Sequence, residues 1–344
     1  MSKKLITLFL TVCMLAVAGC SKETPRLSVD KGDEPSSVPI TEEPVAYKNP
    51  LTGVSGISAE KADDRPVAIM INNIDIAQPI QAGIGAADIV YETEVEGGIT
   101  RLMAVYQDVT KAERIGSIRS ARYPYIDLAL GHNAIYLHHG EDTTYCGPHL
   151  KDIDDINIDE NNYAVRIPNG KSYEHTLYTY GEKLWSGLVN DGYKTERGSS
   201  EPWVNFADED NPVTLANAAA SVTVPFSGSY KTVFKYDSAA GTYTRYFGNT
   251  LRKDYVTGGK TEVKNVFVLL TTIKNYPDGL HRQVFLESGN GYYFTNGTYT
   301  PIKWSKGAAE NALKFTNTDG KELTVSPGSS WVCIAGLKSE PVIS

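Results

Sequence analysis

Glu113-Arg114-Ile115-Gly116-Ser117-Ile118-Arg119-Ser120-Ala121-Arg122 runs from an apolar segment into a polar turn carrying two arginines and a serine. Residues 115–119 fit a strand, Tyr123–Leu130 a helix of some two turns stopped by Gly131, and residues 134–140 a second strand ending in His138-His139-Gly140. Strand, helix and strand in so short a span predict a βαβ unit, with a right-handed crossover if the strands are parallel. Ser120 stands where an N-cap belongs; if Pro124 is the first helical residue, the cap shifts to Tyr123.

Upstream, Ile89–Glu96, Gly97-Gly98 and residues 99–107 predict a β-hairpin. Alternation puts Glu92, Glu94 and Glu96 on one face, and pairing about the turn sets Glu94 opposite Arg101. The plain reading is a solvated face with a cross-strand ion pair. Residues 65–73 form a nearly unbroken apolar run, the pattern of a strand covered on both faces. Residues 82–87 suggest a helical turn.

Downstream, residues 140–168 read as a polar loop. Thr179-Tyr180-Gly181-Glu182 reads as a capping box, opening an amphipathic helix through Leu184, Trp185, Leu188 and Val189 to about Gly192. Beyond residue 221 the texture changes to short strands and tight turns, with Asn296-Gly297 and Asp319-Gly320 as turn signals. The fold class expected is α+β or α/β: an α/β domain over residues 50–200, a linker over 201–221 and a β-rich domain over 222–338.

The N-terminus indicates the compartment. Lys3 and Lys4 precede an apolar run over residues 5–17, and Val17-Ala18-Gly19-Cys20 places small residues directly before a cysteine. That is a lipoprotein signal over residues 1–19, with Cys20 as the acyl acceptor. Its removal takes away two lysines and moves the formal charge from −8 to −10. Residues 20–49 hold Pro25, Pro35, Pro39 and Pro44 among charged and hydroxyl residues, the composition of a tether. The expected location is the outer face of the cytoplasmic membrane, anchored through Cys20. So acidic a body offers no basic stripe, so nucleic acid is not an expected partner. Whether Cys146 and Cys333 pair is left open by the sequence.

Arg119, Ser120 and Arg122 at a helix N-terminus, with Arg101 across the hairpin, make an anion site for phosphate or carboxylate. The competing reading pairs these arginines internally with Glu92, Glu94 or Glu96. His138, His139, Glu141, Asp142, Cys146 and His149 lie close in sequence, but adjacent strand residues point to opposite faces. No metal and no cofactor is therefore expected. Ser120 lacks a nucleophile-elbow setting, although His138 or His175 could approach it as a base.

Residues 65–73, Ala87-Asp88-Ile89-Val90-Tyr91-Glu92, Val95-Glu96-Gly97-Gly98-Ile99-Thr100-Arg101, Ile118-Arg119-Ser120-Ala121-Arg122 and His175-Thr176-Leu177-Tyr178-Thr179 resemble the YerB-like lipoproteins of Gram-positive bacteria. The likeness extends, more loosely, through residues 234–332. It implies a membrane-anchored extracytoplasmic protein of two domains of unknown function, with shared residues at Glu96, Arg101, Arg119, Ser120, Arg122, His138 and His175. This sequence departs from the family after His138, where it reads His139-Gly140-Glu141-Asp142.

The expected function is a binding or scaffold role at the cell envelope, toward an anionic envelope ligand or a cell-wall assembly protein. Arg101, Arg119 and Arg122 would hold the anion, Ser120 would donate to it, and Glu96 and His138 would orient the arginines. One alternative is an envelope hydrolase or transferase with His138 or His175 beside Ser120. Another is an interaction module whose arginines are structural.

Overall fold

Val67–Ile71 (β1) is buried at every position, which an apolar run can achieve only with both faces covered. The computed structural model in which this is seen describes residues 47–159, 163–199, 201–211 and 213–344. The signal segment, Cys20 and nearly all of the tether lie outside the described residues.

β1 belongs to a sheet of eleven strands. The others are β2 (Ile89–Glu96), β3 (Ile99–Tyr106), β4 (Ile135–His138), β5 (Asp155–Asn157), β6 (Asn217–Ala218), β7 (Asn265–Thr271), β8 (Ser288–Thr295), β9 (Thr298–Ser305), β10 (Lys314–Asn317) and β11 (Ser330–Gly336). Their order is β6-β9-β8-β7-β11-β2-β3-β1-β4-β5, with β10 paired to β9. At the centre β11 lies between β7 and β2, parallel to both. Strands from residues 50–200 and from residues 222–338 thus share one ladder.

Successive residues serve two cores. Ile69, Leu102, Val268 and Cys333 face one side, where Leu184 and Leu188 of α2 (Gly181–Asn190) and a second sheet through Val222 and Phe234 cover them. Met70, Met103, Leu269 and Ile334 face the other, under Tyr125 and Leu128 of α1 (Tyr123–Leu130), Trp203 and Phe315. Among the described residues the fold is strand-rich, with helices few and short.

The expected βαβ unit does not form. The first strand is only Ile115–Gly116, and it pairs antiparallel with Leu177–Thr179 in a separate three-stranded sheet. A Cβ at Gly116 would stand 2.6 Å from the Tyr178 ring, so the close approach of that strand depends on glycine. Beyond it the chain crosses the end of β1, where Ile118 bridges Ile71. β4 instead pairs parallel with β1 and with β5. The segment between β4 and β5, expected to be loop, contains the one-turn helix Gly147–Leu150. Residues 82–87 contain the 3-10 turn Ile84–Ala86.

Both helix starts differ from expectation. Arg122, not Ser120 or Tyr123, holds the N-cap position of α1, and no side chain caps it. Tyr180 precedes α2, also without a side-chain cap. Thr179 is held in a strand and donates its hydroxyl proton to Tyr163 O at 2.5 Å, so the capping box is not made. Cys146 and Cys333 are both buried and free.

Candidate functional site

The hairpin register decides where the three glutamates go. Thr93 pairs with Arg101 and Glu94 with Thr100, then a bulge brings Glu96 opposite Ile99. Glu94 therefore does not face Arg101, and the three carboxylates do not share one solvated face.

Glu92 is fully buried, cross-strand from Leu102 and Cys333. It accepts from Asn73 Nδ2, Thr100 Oγ1, Thr232 Oγ1 and Trp331 Nε1 at 2.9–3.1 Å. Burial raises its pKa, against the pull of Arg245 and these donors. Glu94 accepts from Arg282 Nε at 3.2 Å.

Glu96 is the shared partner of two guanidinium groups. Arg101 Nη2 reaches Oε1 at 3.0 Å, while Arg122 donates from Nε to Oε2 and from Nη2 to Oε1, both at 3.0 Å. Burial pushes the Glu96 carboxyl up, but Arg101 and Arg122 outweigh it and hold it below its ordinary value. Arg101 is itself buried and further fixed by Nη1 on Ser120 O at 2.7 Å. Burial, then repulsion from Arg122, bring its pKa down to about 10. Tyr125 locks the region by donating to Arg101 O and accepting from Thr93 N.

The segment carrying Arg119 and Ser120 is threaded between the ends of β1 and β4. Arg119 N donates to Met70 O and Ala121 N to Gly140 O. The Arg119 guanidinium is partly exposed and lies on Glu174, with Nη2 to Oε2 at 3.1 Å. His175 is buried beneath the same carboxylate. Asn72 Nδ2 stands 2.9 Å from its Nδ1, and its Nε2 is 3.4 Å from Glu174 Oε1.

His138 does not touch the arginines. Its Nδ1 faces Gly140 O at 2.8 Å and its Nε2 faces Asp155 Oδ2 at 2.9 Å. Both ring nitrogens are thus committed, and among the described residues no histidine hydrogen-bonds Ser120 Oγ. Glu96 therefore orients Arg101 and Arg122, whereas His138 braces β4 against β5. Beside Arg122 the crevice toward Tyr145, Tyr276 and His281 measures only about 10 Å³, room for a single water.

Arg245 is the polar residue the sequence did not flag. It is fully buried, donates to Gln81 Oε1 and Asn73 Oδ1, and lies 4.6 Å from the Trp331 ring centre. Its two side-chain acceptors come from more than 160 residues away in the chain, so no local spacing announces it. Arg282, which meets Glu94 from 188 residues away, is equally invisible to local spacing.

Residues 51–194 match the N-terminal domain, and residues 222–332 the C-terminal domain, of a family described as "Protein of unknown function (DUF3048)". The chain belongs to this family, the YerB-like lipoproteins. It is 28% identical over 304 residues to "Putative lipoprotein YerB" of Bacillus subtilis (strain 168), covering 83% of this chain and 86% of that one. The crystal structure of the Bacillus subtilis YerB protein matches it with a TM-score of 0.74 at 28% identity, over 87% of this chain and 99% of the other. No helix among the described residues is long and apolar enough to cross a membrane.

Proposed function

We propose that this protein is anchored through Cys20 at the outer face of the cytoplasmic membrane and serves there as a binding or scaffold lipoprotein. Its ligand is an anionic envelope component or the acidic surface of a wall-assembly protein, met at Arg119 and Arg122. The residues before Cys20 and the name of the Bacillus relative support the anchor.

The observation that carries the binding role is a local excess of positive charge. Arg101, Arg119 and Arg122 lie near enough that the other two depress the pKa of Arg101, yet among the described residues Arg101 and Arg122 share Glu96 as their one carboxylate in ion-pair distance, with Asp142 lining the crevice beside Arg122. Glu174, which pairs with Arg119, is more than half exposed and can turn toward water when a competing anion arrives. Arg101 and Ser120 act from behind: the first is buried, and the second offers its carbonyl inward.

The test is a thermal-shift screen of the full chain in detergent against muropeptides and teichoic acid fragments, alongside Arg119→Ala and Arg122→Ala. A ligand at 100 times its Kd should add about 2.7 kcal/mol to the folded state. A shift in the wild type that both folded variants lose is the expected result. A shift that both variants retain, or no shift with either ligand set, would remove the arginines from the binding role.

A further inference from the structure

A second cationic recess lies on residues that the Arg101–Arg119–Arg122 cluster does not use. It is a cleft of about 410 Å³ walled by Lys111, Glu113 and Arg114 on one side and by Asp254, Val256 and Lys260 on the other. Gly83, Gly85 and Ala86 line it as well. The volume suits a small ligand.

Local structure explains why these groups meet. Gly83 has φ +80°, and a Cβ there would stand 2.5 Å from Arg114 O, so only glycine lets this loop lie against Arg114. Asp254 ties the far wall to the loop by accepting from Gly83 N at 2.5 Å, and its other oxygen accepts from Val256 N and Thr257 N at 2.9 Å. The Asp254 carboxylate is thereby spent on backbone donors.

The cations are not spent in the same way. Among the described residues, neither Arg114 nor Lys111 has a carboxylate within ion-pair distance, and Lys260 reaches Asp237 and Glu262 only at 3.9 Å. Arg114 is held instead by the rings of Tyr178 and Tyr180, with its guanidinium carbon 5.8 and 5.7 Å from their centres. Its Nε is buried and has no acceptor. In a chain of formal charge −8, an arginine lining a cleft with no carboxylate in ion-pair distance, although Glu113 lines the same wall, is an unusual arrangement.

We infer that this cleft binds a phosphate group carried on a small organic ligand. One arginine and two lysines among the residues that line one recess suit the several oxygens and the double charge of a phosphate better than a single carboxylate. The phosphate can come from a soluble ester or from a lipid headgroup.

Titration calorimetry of the full chain in a nonionic detergent decides between these sources. The probes are glycerol 3-phosphate, a short-chain phosphatidylglycerol, and acetate as the carboxylate control. Binding of a phosphate probe should weaken about tenfold or more in Arg114→Gln and in Lys260→Gln, and should survive in Arg122→Ala. Tighter binding of the lipid assigns the headgroup source, and equal or tighter binding of glycerol 3-phosphate assigns the soluble one. Heat with neither phosphate probe, equal affinity for acetate, or affinities unchanged in both Arg114→Gln and Lys260→Gln would overturn the inference. Because Lys260 is half exposed, its replacement reads the site even if Arg114→Gln unfolds the chain.

Discussion

Glu92 and Arg245 are joined through a third side chain: Asn73 donates from Nδ2 to the carboxylate at 3.1 Å and accepts from the guanidinium at 2.9 Å. The carboxylate sits on the hairpin and the guanidinium on a strand of the second sheet, so this relay ties one layer to the other.

Removing either end should therefore leave a buried charge without its partner. Glu92→Ala and Arg245→Ala are each expected to cost about 3–5 kcal/mol, read as a lowered urea midpoint. The double variant Glu92→Met with Arg245→Met should cost clearly less than the sum of the two alanine changes. Additive losses would show that the two charges do not depend on one another.

At Glu96 the expectation is asymmetric. Arg122→Ala leaves Arg101 still paired with Glu96, whereas Glu96→Ala strands Arg101, which is 4% exposed. Glu96→Ala should lose about 3 kcal/mol or more and Arg122→Ala about half as much. Equal losses in chemical denaturation would mean that Arg101 is satisfied by Ser120 O alone.

His132 should make stability depend on acid. Burial, with Arg197 and Lys306 behind it, brings its pKa from the ordinary 6.5 down to about 3, while its Nε2 bonds Tyr91 OH at 2.7 Å. A depressed value means that the unfolded chain binds the proton more readily, so this contribution is complete above 6.5 and is lost as pH falls toward 3. Each unit of that window is worth about 1.4 kcal/mol. Urea unfolding at pH 6.5 and pH 5 should show the wild type losing about 2 kcal/mol more than His132→Gln; parallel losses would place the proton uptake elsewhere.

Gly181→Ala separates propensity from packing. Alanine in a helix is favoured over glycine by about 1 kcal/mol, which alone predicts a gain. A Cβ at this position would overlap Val109 O and stand 2.7 Å from Ala112 O, because α2 starts against the turn Val109–Lys111. The variant should instead lose about 1–3 kcal/mol, measured as a fall in Tm.

The hairpin, the covered strand at β1 and the Asn296-Gly297 turn between β8 and β9 were legible because each is fixed by neighbours in sequence. Alternation and turn chemistry act over a few residues. What the sequence hid depends on distant chain. Ile115 and Gly116 have the composition of a strand, but the strand that captures them lies some sixty residues later. Thr179 has the spacing of a cap, but Tyr163 O takes its hydroxyl first. The three glutamates alternate as read, yet one bulged residue sends Glu96 to the arginines while Glu92 turns to the buried Arg245 relay. Of the site residues, Arg101, Arg122, Glu96 and the Ser120 carbonyl meet, Arg119 and His175 meet at Glu174, and His138 goes elsewhere.

The position of β11 bears on how the chain is made. Thr93 Oγ1 donates to Ile334 O across a sequence separation of 241 residues. Until residues 330–336 are delivered, β2 and β7 each present an open edge where β11 will lie. Closing the sheet must wait on that late, long-range step, which makes folding slow and the unfinished chain prone to association. A premature stop before Ser330 would therefore damage residues 50–200 as surely as the region it removes.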